Sequence, residues 1–163
     1  MEIPKHVALI LDGNRRYAKK KGFEVLRGHS FGAKTVEKLF EWALELNVGE
    51  LTLYALSVEN LNRSQIELNE LFRICRNEFD KLRKDKRLIE KGVGIRFIGN
   101  LNLLPLDLQE SCKGLEEATK NNNNLIVNIA LAYGGKWEIL DAVKNIVEKK
   151  EAITDENIRK NLQ

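Results

Sequence analysis

Asp12-Gly13-Asn14-Arg15-Arg16 sets a carboxylate, a glycine, an amide and two guanidiniums side by side. Two arginines can clamp phosphate oxygens with forked hydrogen bonds. Glycine lets the backbone turn sharply and approach a ligand, and free N–H groups at a helix start favour an anion. Asp12 is a hard oxygen ligand suited to Mg2+. Together these groups would stabilise a diphosphate, above all one departing as an anion. Taken alone, the segment reads first as an Asp-Gly turn leading into a solvated basic helix, because such turns are common.

Three further clusters carry chemistry-bearing residues. Arg27-Gly28-His29-Ser30-Phe31-Gly32 holds a histidine just before an expected helix. That histidine could touch phosphate or shuttle a proton, and could equally cap the helix or lie exposed. Ser57-Val58-Glu59-Asn60-Leu61-Asn62-Arg63 offers a hydroxyl, a carboxylate, an amide and a guanidinium in one loop. Locally it also reads as a polar loop before a helix whose N-cap is Ser64. In Ala132-Tyr133-Gly134-Gly135-Lys136, the paired glycines favour a structural role, tight packing between a strand and a helix. Several familiar schemes are missing from the sequence. It has no Walker-type glycine-lysine loop, no Gly-x-Gly-x-x-Gly after the first strand and no Gly-x-Ser-x-Gly elbow. It also has no Asp-Asp pair, which argues against the aspartate-rich metal motifs of the helical, trans-type prenyl synthases.

The elements that must position these groups follow from hydrophobic periodicity. His6 to Leu11, Leu51 to Leu56, Ile95 to Ile98 and Leu125 to Leu131 are short apolar runs that read as buried strands. Arg15 to Lys21 reads as a short basic helix, and apolar residues from about Ser30 to Leu46 recur at helical spacing. A long helix is expected from about Ser64 to Glu90, with Leu68, Leu71, Phe72, Cys75, Phe79 and Leu82 in one stripe. Pro105 opens another helix, and a further one carries Trp137, Ile139, Leu140, Val143, Ile146 and Val147. Thr154 or Asp155 caps a last short helix. Strands alternating with helices imply an α/β fold, a mainly parallel sheet with helices on both faces. Such sheets bind ligands at the carboxyl ends of their strands, where the polar clusters sit.

Composition narrows the setting. The 163 residues suit a single domain, 1–163, large enough to bury a core. No apolar stretch approaches the roughly 18 residues of a membrane span, and no secretory signal opens the chain, so a cytoplasmic location is expected. Cys75 and Cys112 have no paired spacing, which indicates neither a disulfide framework nor a zinc cluster. The net charge of +3 hides an asymmetry: residues 1–36 hold eight basic and three acidic side chains, a net of +5. The rest of the chain is −2, with no broad basic face of the kind nucleic-acid domains show.

Taken in order, the clusters resemble the cis-prenyltransferases, which include undecaprenyl and dehydrodolichyl diphosphate synthases. The matching residues are His6-Val-Ala-Leu-Ile-Leu-Asp-Gly-Asn-Arg-Arg-Tyr-Ala18, Gly28-His29 with Gly32, and Leu51-Thr-Leu-Tyr-Ala-Leu-Ser-Val-Glu-Asn60 with Arg63. Ile98-Gly99, Asn128-Ile-Ala and Tyr133-Gly134-Gly135 complete them. The Asn14-Arg15-Arg16-Tyr17 and Arg63-Ser64 variants look like the archaeal and eukaryotic branch, and Leu61 stands where bacterial members carry tryptophan. The resemblance implies that an allylic diphosphate, farnesyl or geranylgeranyl diphosphate, binds at the end of the first strand. Asp12 would hold Mg2+ and assist departure of diphosphate, with Gly13, Asn14, Arg15, Arg16 and Tyr17 binding substrate and His29 facing the phosphates. Ser57, Val58, Glu59, Asn60 and Leu61 would shape the site of isopentenyl diphosphate, Asn60 helping proton removal and Arg63 orienting substrate. The polyprenyl chain would grow through an apolar tunnel between the sheet and the helices of residues 30–46 and 64–90.

Family members continue with an Arg-x-x-Gly segment, an Arg-x-Ser segment and a further glutamate, which bind isopentenyl diphosphate, complete the Mg2+ site and help build a dimer. Nothing after Tyr133-Gly134-Gly135 matches them. The expectation is therefore a fragment or a shortened homologue, a homodimer if that segment is present, touching the membrane surface to deliver its lipid product. A non-catalytic partner subunit of an active synthase is the alternative, and a basic nucleic-acid-binding module the distant one.

Overall fold

A computed structural model describes residues 2–162. Four strands, β1 (His6–Ile10), β2 (Glu50–Ser57), β3 (Val93–Ile98) and β4 (Leu125–Tyr133), form one sheet in the order β1-β2-β4-β3. Every pairing is parallel. The register aligns Ile10 with Tyr54 and Ser57 with Tyr133, so the loops after β1, β2 and β4 open at one edge. The helices are α1 (Asn14–Lys20), α2 (Val25–Glu45), α3 (Gln65–Lys84), α4 (Lys86–Glu90), α5 (Leu106–Thr119), α6 (Gly135–Glu148) and α7 (Asp155–Asn161). This is the expected α/β class.

Strand alternation separates the faces of the sheet. Leu51, Leu53, Ile95, Val127 and Ile129 share one side and are almost wholly buried with Phe40 and Ala43 of α2, Phe79 of α3 and Leu108, Cys112 and Leu115 of α5. Each large aliphatic side chain removed from water in this way contributes about 1.5–3 kcal/mol before the entropy of ordering is subtracted. The exposed edge of β3 is managed by α5. Thr119 Oγ1 accepts from the Ile95 N–H at 3.0 Å, and Glu116 accepts from the Phe97 N–H at 2.7 Å. The opposite face carries a polar row. His6 Nε2 meets Thr52 Oγ1 at 2.8 Å, and Asn128 donates to Glu50 at 2.7 Å.

The structure departs from the periodicity in three places. α2 begins at Val25, so Arg27-Gly28-His29 lies inside a helix rather than before one. The expected long helix breaks at Asp85, whose backbone is extended and whose carboxylate caps α4 by accepting from the Arg87 N–H. Neither glycine nor proline marks that break. α6 buries Glu138, Ala142 and Ile146, and leaves Ile139, Leu140 and Val147 more than half exposed. A polar side chain with a partner has displaced part of the apolar stripe. Thr154 caps α7 as expected, accepting from the Asn157 N–H.

Candidate active site at the strand ends

β1 delivers Asp12 and Gly13 to the open edge. Gly13 has φ +94°, a conformation that side chains resist, and this lets the chain turn straight into α1. The Asp12 carboxylate accepts from the Gly13 N–H at 2.5 Å and from Arg16 at 2.9 Å. The Gly13 N–H first, and then the Arg16 guanidinium, hold its titration below the usual carboxylate range. Asp12 is thus an exposed, ionised carboxylate at neutral pH.

α1 is docked on α2 through two glycines one turn apart. A Cβ at Gly28 would stand 2.3 Å from the backbone oxygen of Asn14, and one at Gly32 2.6 Å from its side-chain Oδ1. The glycines of the second cluster therefore seat Asn14 and the helix that follows it. Between them on α2, His29 is buried and its Nε2 lies 3.3 Å from Glu67 Oε1 on α3. A carboxylate only accepts, so Nε2 carries the proton of the neutral ring and Nδ1 is left as the basic nitrogen. Burial lowers the His29 titration from its ordinary 6.5, against the opposing pull of Glu67.

Glu67 gathers the site. Its Oε1 accepts from Arg63, just ahead of the N-cap of α3, at 3.0 Å, and lies 3.8 Å from Arg15 Nε. One buried carboxylate thus fixes two arginines and a histidine drawn from three different elements. Sequence reasoning passed over it, although Ser64-Gln65-Ile66-Glu67 has the form of a capping box. Half of that motif is realised, since Ser64 Oγ accepts from the Glu67 N–H at 3.4 Å. The glutamate side chain is instead engaged with His29 and the arginines.

The loop after β2 is held by a reciprocal turn. Asn60 N–H donates to Ser57 Oγ at 3.2 Å, and Ser57 N–H donates to Asn60 Oδ1 at 3.4 Å. Behind it, Tyr54 donates to the Tyr133 backbone oxygen at 3.0 Å, and Tyr133 donates to Glu138 at 2.5 Å. The bond to Glu138, helped by burial, pushes the Tyr133 phenol up to about 12. These contacts tie the ends of β2 and β4 to α6, and they give Tyr133 a structural duty in which Glu138, two residues past the expected segment, is its partner.

Asp12, Gly13, Asn14, Arg15, His29, Ser57, Asn60 and Arg63 converge on one cavity of about 620 Å³. Arg16 reaches it through its ion pair with Asp12. The other sequence candidates lie outside its lining. Tyr17 packs on Phe31 instead, Val58 sits against Gly134, and Leu61 packs on the apolar core. Glu59 is exposed, its carboxylate lowered by its own backbone N–H and by the Ser57 hydroxyl. Past the polar mouth the wall turns apolar, with Val36, Leu39, Leu56, Leu71 and Ile74. Leu11, Ala33, Val36, Ala55, Ile74 and Cys75 are shared with a deeper pocket of about 110 Å³ that runs between α2 and α3 toward Phe40, Phe79 and Ile129. A charged mouth opens onto an apolar channel between the sheet and the two helices, the tunnel that the resemblance implied.

Comparison with known proteins agrees with this geometry. The profile of a family described as "Putative undecaprenyl diphosphate synthase" matches residues 10–163. A tritrans,polycis-undecaprenyl-diphosphate synthase (geranylgeranyl-diphosphate specific) of Archaeoglobus fulgidus is 46% identical over 147 residues, covering 90% of this chain and 59% of that protein. The enzyme of the same name from Pyrococcus furiosus is 43% identical over 167 residues, covering 98% and 63%. The chain thus spans about six tenths of the length of these relatives. Among solved structures, lavandulyl diphosphate synthase of Lavandula x intermedia, in complex with dimethylallyl diphosphate, superposes with a TM-score of 0.87 at 29% identity. That match covers 98% of this chain and 70% of the other. A probable undecaprenyl diphosphate synthase of Campylobacter jejuni gives 0.80 at 33% identity, covering 99% and 70%. By sequence and by fold, this chain belongs to the undecaprenyl diphosphate synthase family of cis-prenyltransferases.

Proposed function

We propose that this chain carries a cis-prenyl transfer site, which condenses isopentenyl diphosphate onto an allylic diphosphate to lengthen a polyprenyl diphosphate. The observation that carries the reading is the continuity of the cavity. Arg15, Arg63, His29 and Asp12 stand at one end, and an apolar passage between α2 and α3 leads away from them. A diphosphate with a long hydrocarbon tail has this distribution of charge. The names of the archaeal relatives favour geranylgeranyl diphosphate as the starter, with farnesyl diphosphate second.

In such a condensation the allylic C–O bond breaks and diphosphate leaves with the electron pair. The isopentenyl double bond attacks the allylic carbon, and a proton is lost from the adduct. Arg15, Arg16 and Arg63 hold the diphosphate oxygens and stabilise the charge that builds on departure, which is where preorganised cations accelerate a reaction. Glu67 keeps two of these arginines and His29 in place before substrate arrives. An anion entering beside His29 would oppose the burial that lowers its titration. Ser57 and Asn60, locked to each other, present polar groups where the isopentenyl carbon gives up its proton.

Mg2+ fits this mouth in one manner. No cluster of three protein ligands exists among the described residues, but Asp12 is an exposed carboxylate beside the diphosphate position. Mg2+ is commonly bound by one carboxylate together with substrate phosphates and water. Asp12 would hold it, and the ion would supply further neutralisation of the leaving diphosphate. Where the family's C-terminal segment is present a homodimer is expected. The exposed Ile139, Leu140 and Val147 of α6 are apolar surface available to it, and light scattering of a chain that carries the segment tests it.

The decisive experiment supplies labelled isopentenyl diphosphate with geranylgeranyl or farnesyl diphosphate in Mg2+ buffer and follows extractable label. Polyprenyl products are expected, and Asp12→Asn should lower turnover by on the order of a hundredfold or more with an unchanged melting temperature. Unaltered turnover in Asp12→Asn would remove Asp12 from the chemistry. Failure of wild type to bind inorganic diphosphate by calorimetry would overturn the reading of the mouth.

A further inference from the structure

The passage that leaves the mouth is apolar except at one place. Two carboxylates, Glu37 of α2 and Glu78 of α3, are the only charged residues lining its deeper pocket among the described residues. Lys81 lies across them. Its ammonium donates to Glu37 Oε1 on the opposite helix and stands 3.9 Å from Glu78 Oε2 on its own. Glu37 first of all holds the Lys81 titration above its ordinary range, so the ammonium stays charged at neutral pH. The bridge thus joins α2 to α3 over the seam between them. α2 rises about 12 Å from His29 at the mouth to Glu37, so a tail entering beside His29 meets the seam at that depth.

The inner wall of the passage and the seam differ in how easily they give way. Phe40, Leu53, Phe79 and Ile129 line the pocket from the packed core and are almost wholly buried. Forcing further carbon into such a core disfavours the state by about fivefold to over a hundredfold. The bridge, by contrast, is made of side chains that are 57%, 41% and 32% exposed, for Lys81, Glu37 and Glu78 in turn. An exposed ion pair of that kind favours its closed form by about fivefold at most. A tail too long for the passage therefore has one soft direction, outward between α2 and α3 at Lys81.

We propose that Lys81, seated on Glu37 and Glu78, is a length stop for the hydrocarbon tail. Tails that fit end beneath the closed bridge, and longer ones leave sideways through the seam once it opens. The proposal rests on the prenyl-transfer reading, in which each condensation lengthens the tail inside the passage. The bridge then decides the length at which a tail stops gaining affinity. With the ammonium removed, Glu37 and Glu78 face each other as like charges and the seam widens.

Calorimetry with n-alkyl monophosphates of increasing chain length tests it and needs no turnover. In wild type, affinity should rise by up to about fourfold for each methylene buried, then level off once the tail reaches the bridge. In Lys81→Gln the levelling should move to longer tails, and the longest should bind about tenfold more tightly than to wild type. Lys81→Arg keeps the bridge and should level off where wild type does. Raised salt screens an exposed ion pair, so it should move the levelling of wild type toward that of Lys81→Gln with no substitution made. Inorganic diphosphate should bind wild type and Lys81→Gln alike, because Lys81 does not line the mouth. Levelling at the same length in wild type and Lys81→Gln would overturn the proposal, and so would Lys81→Arg behaving as Lys81→Gln does. Failure of wild type to bind inorganic diphosphate, or an affinity that ignores tail length altogether, would instead strike the transfer reading, and the length stop with it.

Discussion

Replacing Glu67 by glutamine keeps the shape of the side chain and removes its charge. The side chain is 11% exposed and takes the 3.0 Å bond from Arg63, with His29 at 3.3 Å and Arg15 at 3.8 Å. A hydrogen bond to a charged group is worth about 1.5–3 kcal/mol when its partner is buried. Here the arginines are 24% and 59% exposed, and the glutamine oxygen still accepts one bond, so solvent screening reduces the loss. A destabilisation of about 1–2 kcal/mol is expected, which lowers the melting temperature of a domain this size by about 4 °C. Circular dichroism on heating measures it. The same variant removes the negative charge that helps hold the His29 titration up, so the His29 ring signal in proton NMR should titrate at lower pH than in wild type. The other of the two histidines, His6, lies on the far polar row and serves as the internal control. Unchanged stability together with an unmoved or raised His29 titration would refute the role of Glu67 as the anchor of the site.

Other outcomes follow from the same contacts. Gly28→Ala should destabilise by about 1–3 kcal/mol despite the better helix propensity of alanine, because its Cβ meets the backbone of Asn14. Gly32→Ala meets only the Asn14 side chain and should cost less, and denaturant melts of the pair rank them. His29 titrates lower in the folded chain than its ordinary 6.5, so the unfolded chain binds more protons in the interval between. Stability should therefore be complete above pH 6.5 and fall as pH drops through that interval, a slope that His29→Gln should remove in urea titrations at several pH values. Burial pushes the Cys75 thiol to about 12, so at pH 8 only on the order of one in ten thousand is thiolate. Intact mass after brief iodoacetamide treatment should show Cys75 unmodified until the chain is unfolded.

The strands were legible because parallel strands buried by helices are continuous apolar runs bounded by turns. His6 to Leu11 and Leu125 to Leu131 announce themselves in this way, and the structure shifts their ends by only one or two residues. The polar mouth of the cavity was legible for a related reason: Asp12 to Arg16 and Ser57 to Arg63 lie at the ends of strands, and parallel strands carry such residues to one edge. Helix boundaries were less legible. Gly28 precedes the helix expected from about Ser30, yet it lies within α2 together with Gly32, and the lack of side chains at both admits α1. The stripe on α6 was misplaced because Glu138 is held inward by Tyr133, a contact that hydrophobic spacing does not register.

Residue types and their order were enough to determine the α/β class and the edge of the sheet at which Asp12 to Arg16 and Ser57 to Arg63 gather. Those properties depend on short-range patterns, the period of strands and helices and the chemistry of adjacent side chains. Tertiary structure alone decided that Glu67 gathers Arg15, His29 and Arg63, that Tyr17 faces away from the cavity, and that the apolar passage continues between α2 and α3. His29 and Glu67 are 38 positions apart in the chain, and their contact comes from two helices packing on one sheet. Convergence of that kind is a property of packing, which no local pattern encodes.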